Sequence, residues 1–228
     1  MKYLKMNKLK TILVGESRVG KTAMITQFVQ ESFIENYLPT YATEKSIKEV
    51  TFQSEGKEIS KSLEIWDTVG QEQMRAVNKI FMKEAKIVIL VYDITKQKSF
   101  DELKKYWYDQ VIGINKKENI SIAVVGNKSD LYEEQEVSSD IGKEYAKEIN
   151  ALFFESSAKD NESICLVFNS LTKDYYEKFL KPSPNDNNKP NPQPKPQSQP
   201  QPENIDLKKP NPKPQGFFSK LASYCSIF

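Results

Sequence analysis

The chain has 228 residues but no histidine, and its only cysteines are Cys165 and Cys225. Without histidine, a Ser-His-Asp triad, a Cys-His nucleophile pair and a His-ligated metal site are excluded. Two cysteines are also too few for a four-thiolate zinc site or for a framework of disulfides. These absences remove several large classes of hydrolase and metalloprotein.

Long apolar runs are absent as well. The longest, such as residues 87–92, fall far short of the roughly 20 residues that span a bilayer. The basic start is followed by apolar residues only at 11–14, too few for the apolar region of a signal peptide. We therefore expect a protein of cytosolic origin with reduced thiols.

Proline is concentrated in one part of the chain, because 11 of the 12 prolines lie between Pro182 and Pro214. Such a Pro-, Asn-, Gln- and Lys-rich stretch has too little apolar surface to offset its ordering entropy. We expect an ordered domain over 1–180, a disordered linker over 181–215 and a distinct tail over 216–228.

The net charge of +2 is divided unevenly along the chain. From residue 181 onward seven lysines face three acids, which gives +4 and leaves −2 for residues 1–180. The ordered part is therefore not basic, and we expect no nucleic-acid partner.

Hydrophobic patterning predicts alternating strands and helices. Strands are predicted at 10–14, 44–53, 60–66, 87–92 and 121–126, with a hairpin turn at 54–57. Helices are predicted from 21 to about 29 and near 100–115, 137–149 and 162–180. Continuous apolar strands suit a parallel sheet covered on both faces, so the alternation indicates an α/β doubly wound fold.

Residues 15–22, GESRVGKT, match the phosphate-loop pattern at the required place between a strand and a helix. Gly15 and Gly20 let the backbone turn its N–H groups inward, where they and the helix N-terminus hold phosphates. Lys21 is expected to contact the β- and γ-phosphates, and the Thr22 hydroxyl to bind Mg²⁺. The alternative is a chance match at an ordinary strand-to-helix turn.

A second motif, DTVGQ at 67–71, follows the predicted strand that ends at Trp66. Asp67 is placed to hold Mg²⁺, usually through water, while the N–H of Gly70 approaches the γ-phosphate and Gln71 positions the attacking water. Alone the motif is weak, because an aspartate shortly before a glycine marks many turns.

Two further motifs follow strands, NKSD at 127–130 and SSAK at 156–159. The Asp130 carboxylate is suited to accept the ring N–H and the amine of guanine, a pair of donors that adenine lacks. The backbone of the second motif is placed to cap the guanine oxygen. Taken singly, NKSD is better explained as a polar turn, and SSAK has no diagnostic value.

Taken in order, each after a predicted strand, these motifs form a ligand site of the kind found at the edge of doubly wound sheets. Over about residues 8–180 the chain resembles a small GTPase of the Ras superfamily, most closely the Rab branch. The marks are GESRVGKT, YLPT at 37–40, WDTVGQE at 66–72, VVGNKSD at 124–130 and ESSAK at 155–159. The resemblance implies a mostly parallel six-stranded sheet with helices on both faces.

The resemblance also implies residues that pattern alone does not give. Thr40 matches a threonine whose hydroxyl binds Mg²⁺ and whose N–H meets the γ-phosphate; Lys128 and Lys159 match lysines that flank the base. Phe33 matches an aromatic that packs against guanine, although its sequence context favours a core phenylalanine. The implied nucleotide contacts are Gly15, Ser17, Arg18, Val19, Gly20, Lys21, Thr22, Ala23, Phe33, Tyr37, Thr40, Gly70, Asn127, Lys128, Asp130, Ser157, Ala158 and Lys159. The implied catalytic groups are Gln71, Lys21 and Thr40, and the implied Mg²⁺ ligands are Thr22, Thr40 and Asp67.

The chain departs from the Rab pattern at several positions. Arg18 is bulkier than usual for its loop, Val69 replaces an alanine, Lys45 a phenylalanine, and Phe81-Met82 two tyrosines. The last two changes fall where Rab effectors bind, so no known Rab partner can be assigned.

The last four residues, Cys225 to Phe228, fit the C-a-a-X prenylation box, and the final phenylalanine favours a geranylgeranyl group. Phe217, Phe218, Leu221 and Tyr224 would add apolar contact with a membrane. The alternative to a membrane-targeting segment is an apolar disordered tail. Cys165, by contrast, lies on the apolar side of a predicted helix and is expected to be a core residue.

The resemblance therefore implies a monomeric switch that binds GTP or GDP with Mg²⁺ and hydrolyses GTP slowly. Its expected partners are an exchange factor, an activating protein and effectors at the switch loops, a prenyl-binding chaperone, and a membrane bound through the lipid. We expect it on the cytoplasmic face of an endomembrane or the plasma membrane, with a cytosolic pool. The alternatives are a GTP-loaded binding module that hardly hydrolyses GTP and a Ras-type signalling GTPase.

Overall fold

The computed structural model of the chain describes residues 8–35, 44–67 and 80–182. Within these ranges six strands form one sheet in the order β2-β3-β1-β4-β5-β6. The strands are β1 (Leu9–Val14), β2 (Glu44–Ser54), β3 (Lys57–Asp67), β4 (Ile87–Asp93), β5 (Ser121–Asn127) and β6 (Leu152–Ser156). Among the strand pairings of the described residues, only that of β2 with β3 is antiparallel.

Helices connect the strands. Those described are α1 (Lys21–Gln30), α2 (Gln97–Glu102), α3 (Tyr108–Ile114), α4 (Ser139–Glu148) and α5 (Asn161–Tyr175). A π-helical segment, Leu103–Trp107, joins α2 to α3, and a second one, Tyr176–Leu180, extends α5. Short 3-10 turns lie at Lys117–Asn119 and Ser129–Glu134.

The apolar runs that predicted β4 and β5 are buried along their whole length. One hydrophobic core lies on the sheet face covered by α1 and α5, where Phe28 stacks on Phe168 with ring centroids 4.0 Å apart. The other lies on the opposite face, against α2, α3 and α4, and contains Trp107. The predicted α/β doubly wound, mostly parallel six-stranded sheet with helices on both faces is confirmed.

The structure differs from prediction at the β2–β3 turn, in the helix near 100–115 and in the burial of Cys165. The hairpin turn contains only Glu55 and Gly56, both at positive φ (+50° and +72°), so β3 starts three residues earlier than expected. Positive φ at both turn residues matches the twist of the flanking strands. The predicted helix near 100–115 is interrupted by its π segment, and Cys165 is half-buried beside the core rather than inside it.

A polar cluster ties the end of the last helix to the β2–β3 turn. The Ser54 hydroxyl donates to Glu177 at 2.5 Å, and the Lys181 ammonium lies 2.7 Å from Glu55 and 2.9 Å from Glu177. The helix end is thereby joined to a turn more than 120 residues earlier in the chain.

Beyond residue 182 the structure is not described, so the predicted linker and the tail at 216–228 lie outside the described residues. In the part of the chain that the structure describes, none of the helices combines the length and apolarity needed to span a membrane.

Candidate functional site

The predicted site residues that the structure describes meet at the carboxyl edge of the sheet. The loop 15–20 follows β1, Asp67 ends β3, and residues 127–130 and 156–159 lie at the ends of β5 and β6. This edge is where ligands bind in open α/β sheets, because strand order reverses there and leaves a crevice. We call residues 15–23 with Asp67 the phosphate side, and Phe33 with 127–130 and 156–159 the base side.

On the phosphate side, the loop is closed by a buried ammonium group. The Lys21 Nζ donates to the main-chain oxygens of Gly15 at 2.8 Å and Glu16 at 2.7 Å. Burial lowers the pKa of Lys21 to about 8, although the carboxylates of Asp67 and Glu16 oppose this and favour the charged form. A cation held in this way attracts anionic phosphates strongly because little water screens it.

The two glycines of the loop are required by space as well as by conformation. A Cβ on Gly20, whose φ is +99°, would lie 2.3 Å from the Asn127 Nδ2. One on Gly15 would lie 2.1 Å from the main-chain oxygen of Val91. The loop thus leaves its backbone bare around the helix N-terminus, which fits a phosphate chain.

The other residues near the loop differ in their exposure. Val19 is buried in the core, Ala23 is half-buried at the start of α1, and Ser17 and Arg18 are exposed. Arg18 adopts a positive φ of +65°, a conformation that costs energy for a side chain of its size. Its exposure agrees with a solvated side chain beside the loop.

Two oxygen-bearing groups converge next to the loop. The Thr22 hydroxyl donates to the Asp67 carboxylate at 2.7 Å, and the aspartate is only 5% exposed. A hydroxyl and a carboxylate are hard oxygen ligands of the kind Mg²⁺ prefers, so the pair fits that ion. The third expected ligand, Thr40, lies outside the described residues, as do Tyr37, Gly70 and Gln71.

On the base side, Asp130 is held by two partners. The Ser157 hydroxyl donates to one carboxylate oxygen at 2.6 Å, and the Lys159 Nζ lies 2.9 Å from the other. Burial raises the pKa of Asp130, but the hydrogen bonds from Ser157 and Lys159 outweigh it and hold the pKa below its ordinary value. The carboxylate is therefore oriented and ionised, as an acceptor for two donors must be.

Phe33 lies beside Lys159, the lysine that pairs with this carboxylate. Its side chain is 39% exposed, and the Lys159 ammonium lies 5.8 Å from its ring centroid. The interpretation as a core phenylalanine is wrong, because the residue follows the end of α1 and reaches the crevice instead of the sheet face. An exposed ring next to a base-side lysine is suited to cover a flat base.

One amide joins the two sides. The Asn127 Nδ2 donates to the main-chain oxygen of Val19 at 2.8 Å, and its Oδ1 accepts from Ser156 at 3.4 Å. Asn127 is fully buried. It therefore holds the phosphate loop against the end of β5, whatever contact it makes with a ligand.

Three residues near the site were not singled out by sequence reasoning. Asp93, at the end of β4, is fully buried and accepts from Lys128 at 2.6 Å. The backbone of Lys128 is left-handed. Glu16 accepts from Trp107 at 3.0 Å. An acid ending the apolar run 87–93 was the one signal in the sequence; nothing local marks the other two.

Comparison with known proteins agrees with this geometry. The family model described as "Ras family" matches residues 10–177. Ras-related protein RabC of Dictyostelium discoideum is 34% identical over 165 residues, which are 72% of this chain and 82% of that protein. GTP-binding protein ypt1 of Schizosaccharomyces pombe is 34% identical over 169 residues, 74% of this chain and 80% of that protein.

A mammalian relative gives the same picture. Ras-related protein Rab-12 of Mus musculus is 37% identical over 172 residues, which are 75% of this chain and 68% of that protein. The family match, over residues 10–177, spans the sheet and both sides of the site. The chain therefore belongs to the Ras family and is a Rab-like small GTPase, an enzyme that hydrolyses GTP to GDP and phosphate.

Proposed function

We propose that the protein is a GTP/GDP-regulated switch in membrane traffic that recruits effectors while GTP is bound. The observation that carries the proposal is the meeting, at one sheet edge, of an oriented Asp130 carboxylate and a buried Lys21 ammonium. One recognises a guanine base and the other a phosphate chain. The relatives named RabC, ypt1 and Rab-12 support a role in transport.

Guanine recognition is assigned to the base side. Asp130 accepts the ring N–H and the amine of the base, while Ser157 and Lys159 hold it in place. Phe33 and Lys128 flank the base, and the backbone of Ser157 and Ala158 meets the guanine oxygen. A mismatched base leaves the carboxylate unpaired, which is the source of strong discrimination.

Phosphate binding and hydrolysis are assigned to the phosphate side. The bare backbone from Gly15 to Gly20 and the Lys21 ammonium hold the phosphates, and Thr22 and Asp67 hold Mg²⁺ together with Thr40. When bound, Mg²⁺ neutralises phosphate charge. Gln71 orients the attacking water. The intrinsic rate is low, because Arg18, on the described phosphate side, is exposed and is assigned a solvated side chain. An activating protein supplies the arginine that speeds hydrolysis.

The switch itself is assigned to the loops 35–45 and 68–82. Contacts from Thr40 and Gly70 to the γ-phosphate order both loops, and hydrolysis releases them. Effectors bind the ordered form. Exchange factors act on the same loops to release GDP.

The test of base choice is Asp130→Asn. An amide donates where the carboxylate accepts, so the variant loses affinity for GDP by about 100-fold or more and gains affinity for xanthosine diphosphate. Both affinities are measured by isothermal titration calorimetry with Mg²⁺ present. Asp140→Asn, an exposed aspartate on α4, is the matched control. Unchanged GDP affinity in Asp130→Asn would overturn the assignment.

The test of turnover is Gln71→Leu under single-turnover conditions. The variant keeps GTP bound but hydrolyses it with the activating protein at least about ten-fold more slowly. A wild-type rate as low as that of the variant, with and without an activating protein, would favour the GTP-loaded binding module instead.

Membrane attachment is assigned to Cys225 at the end of the linker 181–215 and the tail 216–228. A single prenyl chain gives reversible binding, so a prenyl-binding chaperone maintains a cytosolic pool. In cell fractionation, Cys225→Ser is soluble while GDP binding by residues 1–180 is unchanged; Phe217→Ser with Phe218→Ser shifts the balance part of the way. Cys165→Ser is the control. Cys225→Ser protein that stays on membranes would contradict the lipid anchor.

Imaging of the tagged wild type separates an endomembrane from the plasma membrane expected of a Ras-type signalling GTPase.

A further inference from the structure

The π-helical segment between α2 and α3 brings Trp107 to the back of the phosphate loop. The N–H of Tyr108 bonds to the Leu103 oxygen five residues earlier, which widens the turn by one residue. One extra residue rotates the next helical turn by about 100° around the helix axis. Trp107, at the end of the segment, is fully buried and presents its indole N–H to Glu16 at 3.0 Å. π-segments of this kind often occur at functional sites.

Glu16 contacts Lys21 through its main chain and Trp107 through its side chain, with different consequences. Its main-chain oxygen accepts from the Lys21 ammonium at 2.7 Å, and its carboxylate accepts from the Trp107 indole at 3.0 Å. The carboxylate is thus directed toward the helix while the backbone of the same residue supports the ammonium. The indole contact crosses 91 residues of sequence, so it is a product of the fold and not of local turn geometry.

The direction of the Glu16 side chain matters for phosphate binding because its carboxylate is negatively charged. A carboxylate next to a buried ammonium is attracted to it strongly, because the local dielectric is low. If the carboxylate turned toward Lys21, it would compete with the phosphates for the same cation. A hydrogen bond from a neutral donor such as the indole holds the carboxylate without adding a competing charge.

We propose that Trp107 is a positioning residue for nucleotide binding: its indole N–H holds the Glu16 carboxylate off the Lys21 ammonium and so leaves that cation to the phosphates. The proposal rests on the nucleotide site proposed above. It assigns a role to the π segment, whose extra residue turns Trp107 rather than its neighbour toward the loop. It also makes Glu16 and Trp107 a coupled pair.

The experiment is a double-mutant cycle on the full chain, read as the dissociation rate of N-methylanthraniloyl-GDP in the presence of Mg²⁺. Trp107→Phe removes the N–H and is expected to speed release by about five-fold or more. In a Glu16→Gln background the carboxylate charge is gone, and the same change is expected to alter release by less than about two-fold. Trp66→Phe, at the end of β3, is the control for loss of an indole elsewhere.

Equal acceleration by Trp107→Phe in both backgrounds would mean that the ring acts only by packing, and would overturn the proposal. So would an unchanged rate in the single variant. If Trp107→Phe folds poorly, β-(3-benzothienyl)alanine at position 107 keeps the shape of the ring and lacks the N–H; it is expected to speed release to the same extent, and a wild-type rate would overturn the proposal. Absence of GDP binding by the wild type would instead defeat the proposed function.

Discussion

The phosphate side and the base side of the site are built on different principles. On the phosphate side, a bare loop of backbone surrounds one buried cation, Lys21, whose partners are main-chain oxygens. On the base side, Asp130, Ser157 and Lys159 hold one another through their side chains. No other group on the phosphate side is expected to replace the Lys21 ammonium, whereas the three base-side residues contribute jointly to binding the base. Damage to the first should abolish binding, and damage to the second should alter selectivity.

The largest effect is expected from Lys21→Met, which keeps the length of the side chain and removes its charge. Affinity for GDP should fall by more than about 100-fold, because removing one partner of a buried charge pair leaves the other charge uncompensated, at a cost of about 3–5 kcal/mol. Calorimetry with GDP and with inosine diphosphate, which lacks the guanine amine, should show equal losses. Lys143→Met, on exposed α4, is the matched control. A loss below three-fold, or a changed ratio of the two affinities, would contradict the comparison.

A smaller effect is expected from Asn127→Ala, which removes the amide that joins the two sides. Losing a buried hydrogen bond to the Val19 oxygen costs about 1–3 kcal/mol, and both GDP affinity and thermal stability should fall. The measurement is a pair of melting curves, with and without GDP. Asn119→Ala, in an exposed 3-10 turn, controls for loss of an amide. If stability falls while GDP affinity stays constant, the bond to Val19 does not connect the sides.

Ser157→Ala should have a modest effect that is specific to the base side. It removes the donor to Asp130 at 2.6 Å, a loss of about 1 kcal/mol, or roughly five-fold in GDP affinity. Because a loosened carboxylate discriminates less, the ratio of GDP to inosine diphosphate affinity should shrink. Ser60→Ala, exposed on β3, should leave the ratio unchanged. If the affinities for GDP and inosine diphosphate both fell five-fold, Ser157 would contribute to phosphate binding rather than to base recognition.

The smallest effect concerns pH. The folded-state pKa of Asp130 is depressed, so its contribution to stability is full above the unfolded-state pKa of about 4 and is lost as pH falls through the lower folded value. Its exposure keeps this contribution small. Carboxyl ¹³C NMR of nucleotide-free protein should show the pKa of Asp130 rising toward its ordinary value in Ser157→Ala. A titration that does not move would show that Lys159 alone holds the carboxylate.

The sequence predicted the central strands and the place of the site because both depend on local pattern. The apolar runs in β4 and β5 are buried on both faces, and the glycines of the phosphate loop are fixed by lack of space. The π segment, by contrast, is associated with the bond between Trp107 and Glu16, which are 91 residues apart in sequence. Local sequence propensity carries no information about so distant a partner. Phe33 was misjudged for the same reason, since hydrophobicity does not tell a core ring from one that faces a crevice.

Some predictions stay predictions. The roles of Thr40, Gly70, Gln71 and Cys225 fall on residues outside those described. The roles of the described site residues also stay predictions, although the structure adds contacts that the motifs did not predict: Thr22 donates to Asp67, and Ser157 donates to Asp130. Lys128 shows what geometry adds, because its partner Asp93 lies on another strand and in no motif.

The bond between Asn127 and Val19 also constrains the order in which the protein acquires its activity. The two residues are 108 positions apart, and β5 must dock beside β4 before they meet. The entropy of closing this loop is lost before the contact between its ends can form, so such long-range pairings form late. During synthesis the phosphate loop is among the first residues to emerge, whereas Asn127, which bonds to it, emerges more than 100 residues later. We therefore expect a growing chain that ends before residue 127 to retain nucleotide less well than the finished chain, even though it contains the whole phosphate motif.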